Sequence, residues 1–151
     1  SVDGEQYIAV AAGWAGALVL IGGGYTHVHH SEARVLAFKL GGKASLPAPP
    51  PAPAMPRPPE LKALPLTLEQ GAAVYGARCA NCHGFNAISG GTIPDLRYMS
   101  ADTHSTFLEI VLGGMRAGNG MPSFANVLSE FDANAVHAYV INRARETYPV
   151  E

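Results

Sequence analysis

Cys79-Ala80-Asn81-Cys82-His83 decides how this chain is read. Two thiols three positions apart, followed at once by a histidine, have the spacing of a c-type haem attachment site. Each thiol can form a thioether to one vinyl group, and the adjacent imidazole then becomes an axial iron ligand. A redox dithiol would account for the cysteines but not for the histidine. A zinc tetrahedron would need a second cysteine pair, and the chain has 2 cysteines in all. With both given to the haem, none is left for a structural disulfide.

The 151 residues around this motif set a prior of one or two small domains. A formal charge of −2 and the lack of any Lys/Arg cluster exclude a nucleic-acid footprint. Hydrophobic residues make up 48% but aromatics only 8%, so a covalent haem would supply apolar volume that the side chains lack. Bacteria attach haem to such motifs outside the cytoplasm, which points to a periplasmic location. The first residues carry no positively charged region of a signal peptide. A processed chain, or a piece of a longer protein, is therefore expected.

C-terminal to a proline-rich stretch, the pattern is helical. Thr67 with Gln70 three positions on reads as a capping box opening a helix that reaches Cys79. A second helix is expected over Asp132–Glu146, with Ser129 or Asp132 as its cap and Val136, Tyr139 and Val140 on one face. The sixth iron ligand has 4 methionines to choose from. Met55 lies among the prolines, Met99 follows Pro94 closely, and Met115 ends a helical run over Phe107–Gly113. Met121 lies in Gly118-Asn119-Gly120-Met121-Pro122, where glycines and a proline shape an extended loop able to approach the iron from the face opposite His83. Met121 is favoured, with Met115, His104 and His137 as alternatives. Methionine ligation raises the iron potential, and a fully ligated iron carries electrons rather than binding oxygen.

Residues 1–46 read differently. The stretch Val2–Ala12, an Asp3-Gly4 turn followed by an apolar run, and the runs Ala17–Ile21 and Arg34–Leu40, bounded by Gly13-Trp14-Ala15-Gly16, Gly22-Gly23-Gly24 and Gly41-Gly42, suit strands joined by turns. So few strands are not stable alone. A membrane helix over Ile8–Ile21 would be shorter than the roughly 20 residues a span needs. His27, His29 and His30 read as loop histidines, with a metal site as the alternative. Residues 47–65 hold nine of the 12 prolines and form the boundary. Proline excludes helix and sheet interiors, and polyproline II advances about 3.1 Å per residue, so residues 47–59 span on the order of 40 Å.

Two resemblances emerge. The Cys79–His83 motif, the Gly-Met-Pro loop at Met121 and the helices with Gly71, Tyr75 and Tyr139 resemble class I cytochromes c, giving residues 66–151 a mainly α cytochrome c domain. In such proteins a proline carbonyl accepts the second ring proton of the axial histidine, a role implied here for Pro94. Leu96 would pack on the haem edge, and Arg97 would bond a propionate. Gly4–Trp14 and Arg34–Gly42 resemble the end of a pyrroloquinoline quinone (PQQ) dehydrogenase propeller. Residues 1–46 would then supply β-strands completing an eight-bladed propeller, with Gly13 and Trp14 beside the quinone.

Propeller end, proline-rich linker and single-haem domain together resemble soluble quinohaemoprotein alcohol dehydrogenases. That resemblance implies electron transfer from PQQ, during alcohol oxidation, through the haem c to an external acceptor such as a blue copper protein or another cytochrome. PQQ and calcium are expected on a larger propeller portion, of which this chain is a cleaved fragment or nicked partner. No residue of this chain reads as a general base for substrate. The alternatives are a stand-alone or membrane-anchored cytochrome c, or a related PQQ enzyme such as an alkaloid hydroxylase.

Overall fold

The structure, a computed structural model, describes residues 2–12, 34–48, 51, 53–89 and 93–149. Strand β1 (Tyr7–Ala12) pairs antiparallel with β2 (Arg34–Lys39), with Tyr7 opposite Lys39 and Ala12 opposite Arg34. The Asp3-Gly4 turn forms as expected, with φ of 49° at Asp3 and 80° at Gly4, and backbone bonds between Val2 and Glu5 close it. Ile8, Val10 and Phe38 are exposed on one face of the ribbon, and Tyr7 and Val35 on the other. The strand at Tyr7–Ala12 removes the start of the alternative membrane helix. Gly13, Trp14, the Ala17–Ile21 run and the cluster of His27, His29 and His30 lie outside the described residues. Among the described residues, no helix is long and apolar enough to cross a membrane.

Residues 53–64 form neither helix nor strand, as their prolines require. Pro58 is nonetheless buried, and Arg145 Nη1 donates to the Pro59 carbonyl at 3.0 Å. The end of the proline stretch thus lies on the helical unit.

Helix α1 runs Pro65–Arg78. Its start corrects the expected Thr67 cap: Leu64 is the N-cap, without a side-chain bond, and Pro65 opens the first turn. Proline suits that position because its fixed φ is already helical and its missing N–H has no partner to lose. Gln70 instead donates from Nε2 to Asp132 Oδ1 at 3.1 Å. Helix α2 is a single turn, Ala80–His83; α3 is Ala101–Ser105, α4 is Phe107–Val111 and α5 is Glu130–Thr147. Both cap candidates for α5 are used. Ser129 is the N-cap, and Asp132 closes a capping box with it.

The unit is built on the crossing of α1 and α5. Gly71 is the point of closest approach, where a Cβ would sit 2.0 Å from the Ala135 carbonyl oxygen and 3.0 Å from Tyr139 Cβ. One turn on, Tyr75 packs on Tyr139 with ring centroids 5.2 Å apart. Tyr75, Val136 and Val140 are the largest fully buried side chains, and Phe107, Val111 and Met99 complete the core around them.

A histidine pair joins α3 to α5. His104 Nδ1 and His137 Nε2 are 2.9 Å apart, and Phe107 stacks on His137 at 4.2 Å with planes 6° apart. Burial, helped by the charge of His104, pulls His137 down to about 4, and burial lowers His104 as well. Unfolded histidines titrate near 6.5, so below that pH protons favour the unfolded chain. Stability from this pair is full above about pH 6.5 and declines as the pH falls toward 4. Thermal unfolding at pH 5 is expected at a lower temperature than at pH 7.5. His137→Gln should narrow that gap; an unchanged gap would refute the assignment.

Candidate haem site

The attachment motif begins where α1 ends. Cys79 N–H donates to the Tyr75 carbonyl at 2.9 Å, and His83 N–H donates to the Cys79 carbonyl at 2.9 Å, so backbone bonds present the motif as a continuous helical turn. Cys79 is half-buried, Cys82 is exposed, and neither is in a disulfide. Burial, with Cys82 adding to it, pushes the Cys79 thiol up to about 11, so it is a neutral thiol at physiological pH. Behind the motif, Tyr75 Oη donates to the Gly84 carbonyl at 2.7 Å. Glycine is required at position 84. Its φ is 75°, and a Cβ would lie 1.9 Å from the Ile88 carbonyl oxygen.

His83 is buried, and its Nδ1 is 3.0 Å from the Pro94 carbonyl oxygen. A carbonyl can only accept, so the ring proton is on Nδ1 and the lone pair on Nε2. Burial lowers the His83 pKa and so favours the neutral ring, against a smaller raising effect of the Pro94 bond. A neutral imidazole oriented by a carbonyl through its other nitrogen is how proteins prepare a metal-binding histidine.

The methionines separate clearly. Met99 is buried in the core, Met115 is 57% exposed, and Met121 is half-buried against the core cluster. The Met121 loop is tied at several points: Met121 N–H donates to the Arg116 carbonyl at 3.3 Å and Phe124 N–H to the Val111 carbonyl at 2.9 Å. Positive φ at Gly114 (70°) and Gly120 (91°) turns the chain. His104 and His137, the imidazole alternatives, are hydrogen-bonded to each other. Leu96 packs against the core cluster, whereas Arg97 is held by Asp95 through Nε and Nη2 at 3.0 and 2.7 Å.

The residues fit a covalent haem: two unpaired thiols one helical turn apart, an imidazole with its lone pair on Nε2, and a thioether side chain on a braced loop. Comparison with known proteins agrees. Residues 67–140 match the family model described as "Cytochrome C oxidase, cbb3-type, subunit III". The chain is 42% identical over 150 residues to "Quinohemoprotein alcohol dehydrogenase ADH-IIG" of Pseudomonas putida, a match covering 98% of this chain and 21% of that protein. Among solved structures, quinohemoprotein alcohol dehydrogenase ADHIIG from Pseudomonas putida HK5 superimposes with a TM-score of 0.77 at 41% identity, covering 97% of this chain and 22% of that one. Quinohemoprotein alcohol dehydrogenase from Comamonas testosteroni gives a TM-score of 0.66 at 32% identity, covering 98% of this chain and 21% of that one. Residues 67–140 thus form a cytochrome c domain, and the chain as a whole is similar to one portion of these quinohaemoprotein alcohol dehydrogenases.

The chain spans about a fifth of the length of the curated relatives it matches. In this cytochrome domain two groups were not singled out in the sequence. Asp95 is a buried carboxylate at the centre of the Pro94 loop, and the Tyr75–Gly84 bond braces the turn after His83. The aspartate had a signal, an Asp-x-Arg step beside Pro94, whose two charges can pair across one turn. The Tyr75–Gly84 bond had none, because it depends on how the chain folds back after the motif.

Proposed function

We propose that this chain is the electron outlet of a PQQ-dependent alcohol dehydrogenase. The observation that carries this reading is the His83–Pro94 bond directly after two unpaired thiols of a Cys-x-x-Cys-His motif. Cys79 and Cys82 would each add a thiol across one vinyl group. His83 Nε2 and the Met121 sulfur would hold the iron, and Leu96 would pack beside the ring. Arg97 keeps Nη1 as the donor with which to reach a propionate, since Nε and Nη2 are held by Asp95. A c-type haem so bound supplies reversible one-electron chemistry. His83 and Met121 would hold it in both oxidation states, leaving no position on the iron for water.

In this reading the β1–β2 ribbon belongs to the end of a propeller, which supplies the neighbours that its exposed apolar faces lack. Gly13 and Trp14 would lie beside the quinone. PQQ and calcium would be held by the larger propeller portion. The proline-rich residues between ribbon and cytochrome domain would act as a tether that keeps donor and acceptor at high effective concentration. The enzyme would work in the periplasm and pass electrons to a small blue copper protein or another cytochrome.

The test is at the sixth ligand. Met121→Ala should lose the sulfur-to-iron charge-transfer band and lower the reduction potential, while haem stays covalently attached. Met99→Leu and Met115→Leu should keep the band. Retention of the band in Met121→Ala, or its loss in Met115→Leu, would overturn the assignment.

A further inference from the structure

The carboxylate of Asp95 gathers both ends of the loop that carries Pro94. Its side chain is 4% exposed. Oδ2 accepts from Arg97 Nη2 at 2.7 Å and from the Ser89 N–H at 3.4 Å. Oδ1 accepts from the Arg97 N–H and from Arg97 Nε, each at 3.0 Å. Ser89 Oγ in turn donates to the Ile93 carbonyl. One carboxylate therefore ties residue 89 to residue 97. Between them is the single carbonyl that receives the His83 ring proton.

The Pro94 carbonyl and the Asp95 N–H belong to one rigid peptide plane. Whatever fixes Asp95 also fixes the direction in which the Pro94 oxygen points. A buried ion pair is a poor device for stability alone, because desolvation offsets much of its attraction. It is a good device for geometry, because a bidentate arginine admits few arrangements.

We propose that Asp95 is a positioning residue for His83: held by Arg97 and Ser89, it sets the His83–Pro94 hydrogen bond and through it the reduction potential. This rests on His83 being the axial ligand. A firm bond to the carbonyl makes the imidazole a stronger donor and favours oxidised iron, so a looser bond should raise the potential.

The experiment uses the full chain matured with haem and labelled with 15N-histidine. NMR follows the solvent exchange of the His83 Nδ1 proton, and a potentiometric titration follows the haem. In Asp95→Asn the exchange should quicken by about tenfold or more, as expected when a charged hydrogen-bonded support is lost, and the potential should rise. Removing one charge would raise the potential by itself. Asp95→Asn/Arg97→Gln removes both charges, and there too the exchange should stay fast and the potential high. Arg97→Lys keeps the charge without the fork, disturbs the fold least and should show an intermediate exchange rate. Wild-type exchange in these variants, with a potential restored in the double variant, would show that Asp95 acts as a charge only and would overturn the proposal. A His83 signal without a paramagnetic shift in the unsubstituted ferric protein would instead overturn the ligand assignment itself.

Discussion

Replacing both Cys79 and Cys82 with alanine abolishes covalent haem: denatured, acid-extracted chain should show no haem absorption, whereas the unsubstituted chain keeps all of it. The change removes two sulfur atoms and little else. The bonds that shape the motif run through the backbone, from the Cys79 N–H to the Tyr75 carbonyl and from the His83 N–H to the Cys79 carbonyl. Alanine preserves both and favours the helix. The loss therefore reports on the thiols and not on a collapsed turn. Each single variant should keep one thioether and lose haem only under harsher extraction. Covalently retained haem in the double variant would contradict the attachment site. Ligation of the haem by His83 and Met121 would exist only in the folded chain, so a double variant that has lost its haem should melt earlier than the parent.

Gly71→Ala should be strongly destabilising although it adds a single methyl group. The added Cβ would fall 2.0 Å from the Ala135 carbonyl oxygen, a backbone atom that cannot rotate away. Relief requires α1 and α5 to separate, and that disturbs the packing of Tyr75 on Tyr139 and the core behind it. Overpacking of this kind costs about 3 kcal/mol. For a domain of this size the melting temperature should fall by roughly 10–20 °C. Gly76, also within α1, provides the contrast, since a Cβ there meets nothing within 4 Å. Gly76→Ala should raise stability by about 0.5–1 kcal/mol through helix propensity. Thermal unfolding followed by circular dichroism reads both. Equal effects at the two glycines would refute the crossing as the organising contact.

Much of this was legible because the features are local or periodic. Cys-x-x-Cys-His carries its chemistry in five consecutive positions. The Asp3-Gly4 turn, the strands at Tyr7–Ala12 and Arg34–Lys39 and the Ser129 cap depend on near neighbours. Gly71, Tyr75 and Tyr139 could be matched across α1 and α5 because a crossing needs one small residue beside large ones. The start of α1 was misplaced because Thr67 offers a good cap, while Pro65 offers a fixed φ two residues earlier and Gln70 finds Asp132 instead of the helix end. Contacts between distant residues were not legible. Nothing local pairs His104 with His137, and nothing in Arg97 itself shows that Asp95 occupies two of its nitrogens.

The proposed electron path is read directly in an anaerobic visible spectrum of the full-length, quinone-loaded protein before and after a simple primary alcohol is added. The haem bands should sharpen to the reduced form with no chemical reductant present. A haem that stays oxidised with alcohol, yet is reduced at once by dithionite, would contradict the proposed role as the electron outlet of an alcohol dehydrogenase.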